Sequence, residues 1–261
     1  MQQETYEEMY RLEDDHWWFV GKRLVVEALL TDLLSRPRLQ ILDIGCGTGG
    51  ILARLQSEAG AARRVVGMDR SGVALGFCQR RGLRYVACAE TTFLPFRDST
   101  FDLVLLLDVL EHVRDEGALL AEVYRVLRPG GTALISVPAY QWLWSAHDDV
   151  LHHVRRYTAG RLRQALGTGR FRIARLTYTN VSILLPAALV RAVLPRVGVR
   201  ARQGTDFQMH ARWVNRLLIR LYEAEAALLR RVGCPFGLSV AAVVTTLPTS
   251  QNMSPGQGAQ R

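Results

Sequence analysis

The chain has 261 residues, 49% hydrophobic and 22% charged, a balance that suits one well-buried core with a small accessory region and excludes a disordered chain. Its formal net charge is +9, and Lys22 is the one lysine among many arginines. So skewed a choice is read as a solvated basic surface and coding bias ahead of an anionic membrane surface, with nucleic acid last. Cys46, Cys78, Cys88 and Cys234 form no CxxC pair and no metal-ligand spacing, which points to free thiols in a reducing compartment. No basic-apolar leader opens the chain and no uncharged apolar run is long enough for a bilayer span. A cytoplasmic protein is expected, with peripheral contact at the inner membrane face left open.

Residues 4–19 are polar and aromatic. Leu24, Val25, Ala28, Leu29 and Leu33 then carry helical spacing over 21–35, and Pro37 ends it. The apolar run Leu39–Ile44 runs into a glycine-rich loop, and helical spacing resumes over 50–58, the opening strand–loop–helix of a doubly wound sheet. The alternation continues with a strand Val65–Met68 ending at Asp69, a helix over 71–81 and a short strand Tyr85–Ala89. Phe101–Leu107 is strongly apolar, with Asp102 its one charged residue, as a parallel strand buried on both faces requires. A helix over 115–127 stops at Pro129-Gly130-Gly131, and Thr132–Val137 is the fifth strand. Thr158 can cap a helix to Leu166, and Phe171–Tyr178 and Leu238–Thr246 read as the last two strands. Between them, 181–237 holds an apolar stretch, Val181–Val199, and an amphipathic helix over 211–231. The tail 248–261 is rich in Ser, Gln, Gly and Pro and is expected to be disordered. The chain thus divides into an N-terminal helical lid (1–38), a core (39–180), a helical insert (181–237), a final core strand (238–247) and the tail.

The loop Gly45-Cys46-Gly47-Thr48-Gly49-Gly50 satisfies GxGxG and, through Gly45, Gly47 and Gly50, also the dinucleotide pattern GxGxxG. Both need glycine so that a ligand can approach the backbone. Asp69, about 20 residues on, can accept hydrogen bonds from both hydroxyls of a ribose in either case. Asp43 separates the readings: a carboxylate before the first glycine suits a ligand with a free ammonium group and would repel a pyrophosphate.

Downstream stand Leu94-Pro95-Phe96-Arg97-Asp98-Ser99-Thr100-Phe101-Asp102, Val109-Leu110-Glu111-His112-Val113 and Arg125-Val126-Leu127-Arg128-Pro129-Gly130-Gly131. With the glycine loop, these blocks resemble the class I S-adenosylmethionine (SAM)-dependent methyltransferases, in the small-molecule group related to quinone-biosynthesis enzymes. The resemblance covers about residues 39–138. It implies an α/β, Rossmann-like doubly wound sheet of seven strands, six parallel and the last antiparallel. It also implies SAM as cofactor, with Asp43, Gly45, Cys46, Gly47, Thr48 and Gly49 around its methionine end and Asp43 near the ammonium. Asp69 would hold the ribose, Arg70 would flank the adenine, and Glu90 would contact the adenine amino group where the family usually has aspartate. Leu107 and Asp108 would lie beside the sulfonium and the acceptor.

His16-Trp17-Trp18-Phe19 with Arg23, and the run Pro138–Asp148 followed by His153 and Arg155-Arg156-Tyr157, resemble the lid and the loop after the fifth strand of a narrower subgroup. The two aromatic clusters are read either as a lid over the acceptor or as packing of the N-terminal helix on the sheet. Arg155, Arg156 and Tyr157 are read as binding an acidic group or forming a helix-entry salt bridge. For a general base, His147 oriented by Asp148 comes first and His112 second. In some quinone O-methyltransferases an acidic-x-x-Glu-His group holds a divalent metal, a role that would fall to Asp108, Glu111 and His112; no metal is the preferred reading. The expected activity is methyl transfer to O, N or C of a small-molecule or lipid-linked acceptor by a monomer or homodimer, without nucleic acid. A non-catalytic SAM-binding scaffold and an NAD-dependent oxidoreductase are the alternatives.

Overall fold

The computed structural model describes residues 3–59, 63–167, 170–189 and 211–247. Two helices open the chain, α1 (Gln3–Leu12) and α2 (Trp17–Leu29), followed by a single turn, α3 (Thr31–Leu34). The helix α2 begins four residues before the apolar spacing that predicts it. His16 caps it, its Nδ1 accepting from the Trp18 N–H at 3.3 Å, and the Trp17 N–H donates to Asn215 Oδ1 at 2.9 Å. Aromatic residues at the helix start hide the period because they serve two surfaces.

The sheet strands and their crossover helices are β1 (Leu39–Ile44), α4 (Gly50–Ala59), β2 (Arg63–Asp69), α5 (Gly72–Arg80), β3 (Val86–Cys88), β4 (Phe101–Leu107), α6 (Glu116–Val126) and β5 (Leu127–Pro138). After them come α7 (Ala146–Val150), α8 (Ala159–Leu166), β6 (Phe171–Thr179), α9 (Leu184–Ala188), α10 (Arg212–Leu229) and β7 (Ser239–Thr246). The strand order is β3-β2-β1-β4-β5-β7-β6, with β7 antiparallel to both neighbours and the other pairings parallel. This is the seven-stranded mixed α/β sheet that the alternation and the resemblance imply. The strand β5 starts earlier than the glycines suggest. Phe101 pairs with Leu127 and a register shift then carries the chain to the Leu103–Thr132 pair. Gly130, at φ +75°, lets the chain turn there without leaving the sheet.

The strands β1 and β4 lie side by side, with Ile44 opposite Leu106. The chain leaves β1 toward β2 on one side and leaves β4 toward β5 on the other, so a crevice opens at their carboxyl ends. The elements flanking that crevice come from both ends of the chain. The helix α10 packs on α2: a Cβ at Gly21 would lie 2.5 Å from the ring of Tyr222, which is fully buried. Val25, Ala28, Leu143, Ile183, Tyr222, Leu229 and Leu238 form one apolar cluster there. Most of the Val181–Val199 stretch, all of the 248–261 tail and the side chain of His147 lie outside the described residues. Among the described residues no helix is long and apolar enough to cross a membrane.

Candidate functional site

The glycine loop leaves β1 through backbone that L-residues disfavour, with Gly45 at φ +72° and Gly49 at φ +82°. A Cβ at Gly45 would stand 2.5 Å from Val109, and one at Gly49 would stand 2.7 Å from Leu83. Both glycines are therefore required by the turn and by what lies beneath it. The loop is held from below and from the side. Asp69 Oδ2 accepts the Gly47 N–H at 3.0 Å, and its Oδ1 accepts the Ser71 N–H at 2.9 Å. Thr48 donates its hydroxyl to Glu13, and Arg81 bridges the Thr48 carbonyl and Glu13, each at 3.1 Å. Cys46 and Cys78 are free thiols with sulfurs 3.8 Å apart.

Above the loop is a small cavity of about 80 Å³ bordered by Glu13, Lys22, Asp43, Gly45 and Gly47. Asp43 is 4% exposed, and burial, only partly offset by the Lys22 ammonium, pushes its pKa up to about 7. Lys22 reaches in from α2 and pairs with Asp108 at 2.6 Å. Burial disfavours its charge, but Asp108 more than compensates and raises its pKa. Two groups of opposite charge thus face one small space.

The cavity continues into a larger one of about 500 Å³, within the range of small-molecule sites. One side is apolar, with Trp17, Trp18, Ile183, Pro186 and Leu218. The other is polar, with Asp108, Glu111, His112, His153 and Arg156. Glu111 follows β4 in a short helical turn, Leu110–His112. It is fully buried and neither carboxylate oxygen has a hydrogen-bond partner among the described residues. Burial and the nearby Asp108 raise its pKa well above the carboxylate range. His112 is exposed at the cavity, and partial desolvation by the protein around it, with His153 beside it, lowers its pKa to about 4. Their rings meet edge to face at 4.7 Å between centroids.

The sequence pairs Asp148 with its neighbour His147; in the fold its carboxylate turns to residues further along. Oδ1 meets His153 Nδ1 at 2.8 Å and Arg156 Nε at 2.7 Å, and Oδ2 accepts from Arg156 Nη2 at 2.9 Å. Against the cost of burial, these bonds hold Asp148 below the usual carboxylate range. Arg155 and Tyr157 both bind Glu116, each at 2.7 Å, so they act as structural braces. Trp17, Trp18 and Phe19 line the cavity, whereas Trp142 is 56% exposed and Trp144 donates to Asp149 at 2.9 Å.

Asp43, Gly45, Cys46, Gly47, Thr48, Gly49, Asp69, Leu107 and Asp108 come together at the ends of β1, β2 and β4. Arg70 and Glu90 are exposed, Arg70 directly after β2 and Glu90 two residues beyond β3. The Asp108–Glu111–His112 metal set is not assembled, because Asp108 is directed to Lys22. Among the described residues, Glu111, His112 and His153 instead bring one ligand atom each within 4.8 Å of one another. Motif reading did not find Lys22, Glu13 or the partnership of His153 with Asp148. The one available signal was Lys22 as the only lysine of an arginine-rich chain.

Residues 42–135 match the family model of the methyltransferase domain. A Mycolicibacterium smegmatis protein described as a probable S-adenosylmethionine-dependent methyltransferase is 30% identical over 168 residues, which cover 62% of this chain and 62% of that relative. A ubiquinone/menaquinone biosynthesis C-methyltransferase of Stenotrophomonas maltophilia is 39% identical over 108 residues, covering 38% of this chain and 42% of the relative. The chain therefore spans less than two thirds of the length of these relatives. The crystal structure of a SAM-dependent methyltransferase from Archaeoglobus fulgidus superposes with a TM-score of 0.53 at 19% identity, over 86% of this chain and 94% of that one. At that identity the likeness concerns the fold.

Proposed function

We propose that this chain, whose residues 42–135 match the methyltransferase-domain model, binds SAM and moves its methyl group to a small-molecule acceptor. The observation that carries the reading is the facing pair Asp43 and Lys22 above the glycine loop. An amino-acid head group carries an ammonium and a carboxylate, and Asp43 and Lys22 match them in sign. A pyrophosphate at the same loop would meet the Asp43 carboxylate, which disfavours the nicotinamide alternative. Asp69 keeps one lone pair on each oxygen after bracing Gly47 and Ser71, enough for two ribose hydroxyls.

SAM supplies a methyl group already activated on a sulfonium, which departs as the thioether when an acceptor atom displaces it in line. The chain's own part is alignment and exclusion of water. Trp17, Trp18, Ile183, Pro186 and Leu218 would hold the apolar body of the acceptor. The wall of Asp108, Glu111, His112 and His153 would face its reacting polar end, with Asp148 orienting His153 in place of His147. A lipid-linked acceptor is the form favoured by α10. Its exposed Trp213, Leu217 and Leu221 alternate with exposed Arg212, Arg216 and Arg220, so an anionic bilayer would meet apolar and basic groups together.

Calorimetry with S-adenosylhomocysteine and with NADH tests the cofactor reading: binding of the first alone supports it, and binding of NADH alone overturns it. Methyl-labelled SAM incubated with an extract then tests transfer. Cofactor binding with no labelled product under any condition would favour the scaffold alternative.

A further inference from the structure

We propose that Glu111, His112 and His153 form a binding site for a first-row divalent cation of the zinc type, with an open coordination position facing the large cavity. The first observation is Glu111. Its side chain is 0% exposed, and neither oxygen has a hydrogen-bond partner among the described residues. A buried carboxylate left in this way is costly unless a cation or a proton joins it.

The second observation is what Glu111 faces. His153 Nε2 lies 4.0 Å from Glu111 Oε1, and one ligand atom from each of Glu111, His112 and His153 falls within 4.8 Å of the others. Around a tetrahedral zinc, with bonds of about 2.1 Å, ligand atoms stand about 3.4 Å apart. Small side-chain rotations would close the difference. The neighbouring acid Asp108 is already neutralised by Lys22 at 2.6 Å, so it is not one of the three.

The third observation lies behind the ligands. His153 points Nδ1 at Asp148 Oδ1 at 2.8 Å, and Asp148 is held by Arg156 through both oxygens. An ionised carboxylate accepts, so Nδ1 carries a proton, and in the neutral imidazole that a metal binds Nε2 then has its lone pair toward Glu111. This carboxylate–histidine arrangement orients metal-bound imidazoles and raises their basicity. Two imidazoles and one carboxylate favour zinc, cobalt or ferrous iron over magnesium, which prefers an all-oxygen set. Three protein ligands with one position open is the pattern of a reactive rather than a structural site. A cation there would polarise an acceptor oxygen or nitrogen, a consequence that rests on the proposed transfer reaction; binding of the ion does not.

The test is metal uptake by the full chain after removal of metal with a chelator, without SAM. Titration with Zn²⁺ should show one equivalent bound, resistant to excess Mg²⁺. Co²⁺ should give visible bands of an N/O-ligated ion without thiolate charge transfer. Glu111→Gln removes the carboxylate ligand at constant shape and should keep the fold, with S-adenosylhomocysteine binding as the control. It should weaken zinc at least about 100-fold, and His112→Gln should do the same. No uptake by the wild type, unchanged affinity in Glu111→Gln, or a thiolate spectrum from Cys88 would each overturn the site. Because the ion is measured without cofactor, failure here leaves the SAM reading standing, and failure of SAM binding leaves the metal site standing.

Discussion

Replacing Asp69 by alanine removes one carboxylate that performs two tasks. In the structure its oxygens accept the Gly47 and Ser71 N–H groups at 3.0 and 2.9 Å. On the proposed reading the remaining lone pairs accept the two ribose hydroxyls. Hydrogen bonds to a charged acceptor contribute about 1.5–3 kcal/mol each, so two of them amount to at least about 3 kcal/mol. At about 1.4 kcal/mol per tenfold, affinity for S-adenosylhomocysteine should fall about 100-fold or more. Asp69→Asn keeps one acceptor oxygen but turns an NH₂ group toward a backbone N–H. It should lie between, about tenfold weaker than wild type by the same scale. The assay is calorimetry near pH 8, with thermal melting to show that each variant is folded. An Asp69→Ala protein that melts like wild type and binds within about threefold of it would refute the assignment.

The remaining predictions concern the head-group pocket and the two buried contacts that shape the cavity. Asp43 must be ionised to hold an ammonium, and its carboxyl takes a proton below about pH 7. Cofactor affinity should therefore rise about tenfold per pH unit up to that point and then level off; a flat profile from pH 5.5 to 8 would count against the role, and Asp43→Asn should abolish the slope. Arg156→Ala leaves Asp148 buried without its bidentate partner, the pair being 2% and 0% exposed. Breaking such a pair costs about 3–5 kcal/mol, a loss of roughly 10 °C in melting temperature, and a loss below about 1 kcal/mol would show that water reaches the pair. Gly21→Ala places a Cβ 2.5 Å from the buried Tyr222 ring. Crowding of about 1–3 kcal/mol outweighs the gain of about 1 kcal/mol in helix propensity, so denaturant unfolding should show net destabilisation; a stabilised variant would mean that α10 yields.

Much of the core was legible because its signals are local. The run Leu39–Ile44 ends at a glycine loop within a few residues, and Leu103–Leu107 is apolar in both side-chain periods because both of its faces are buried. The place of Asp69 at the end of β2 could be read from spacing, since one strand–loop–helix–strand unit has nearly constant length. The start of α2 was missed because His16 and Trp17 take their partners partly from α10, near residue 215. The contacts of Asp148 with His153 and Arg156 were hidden for a related reason: adjacency in the chain suggests His147, whose side chain lies outside the described residues, while the turn after α7 brings His153 and Arg156 round to the carboxylate.

Taken alone, the sequence determined the succession of strands, the glycine loop and a carboxylate at ribose spacing, which follow from residue periodicity and short spacing and suit either nucleotide cofactor; Asp43 and the resemblance of the downstream blocks pointed to SAM. Only the tertiary structure decided what lines the cavity beyond the glycine loop. Lys22 meets Asp43 and Asp108 only when α2 folds across the sheet ends. Glu111, His112 and His153 converge only when the loop after β5 closes over the end of β4. Apart from the adjacent Glu111 and His112, these groups come from residues more than 20 apart in the chain, brought together by burial of surfaces that no local pattern records.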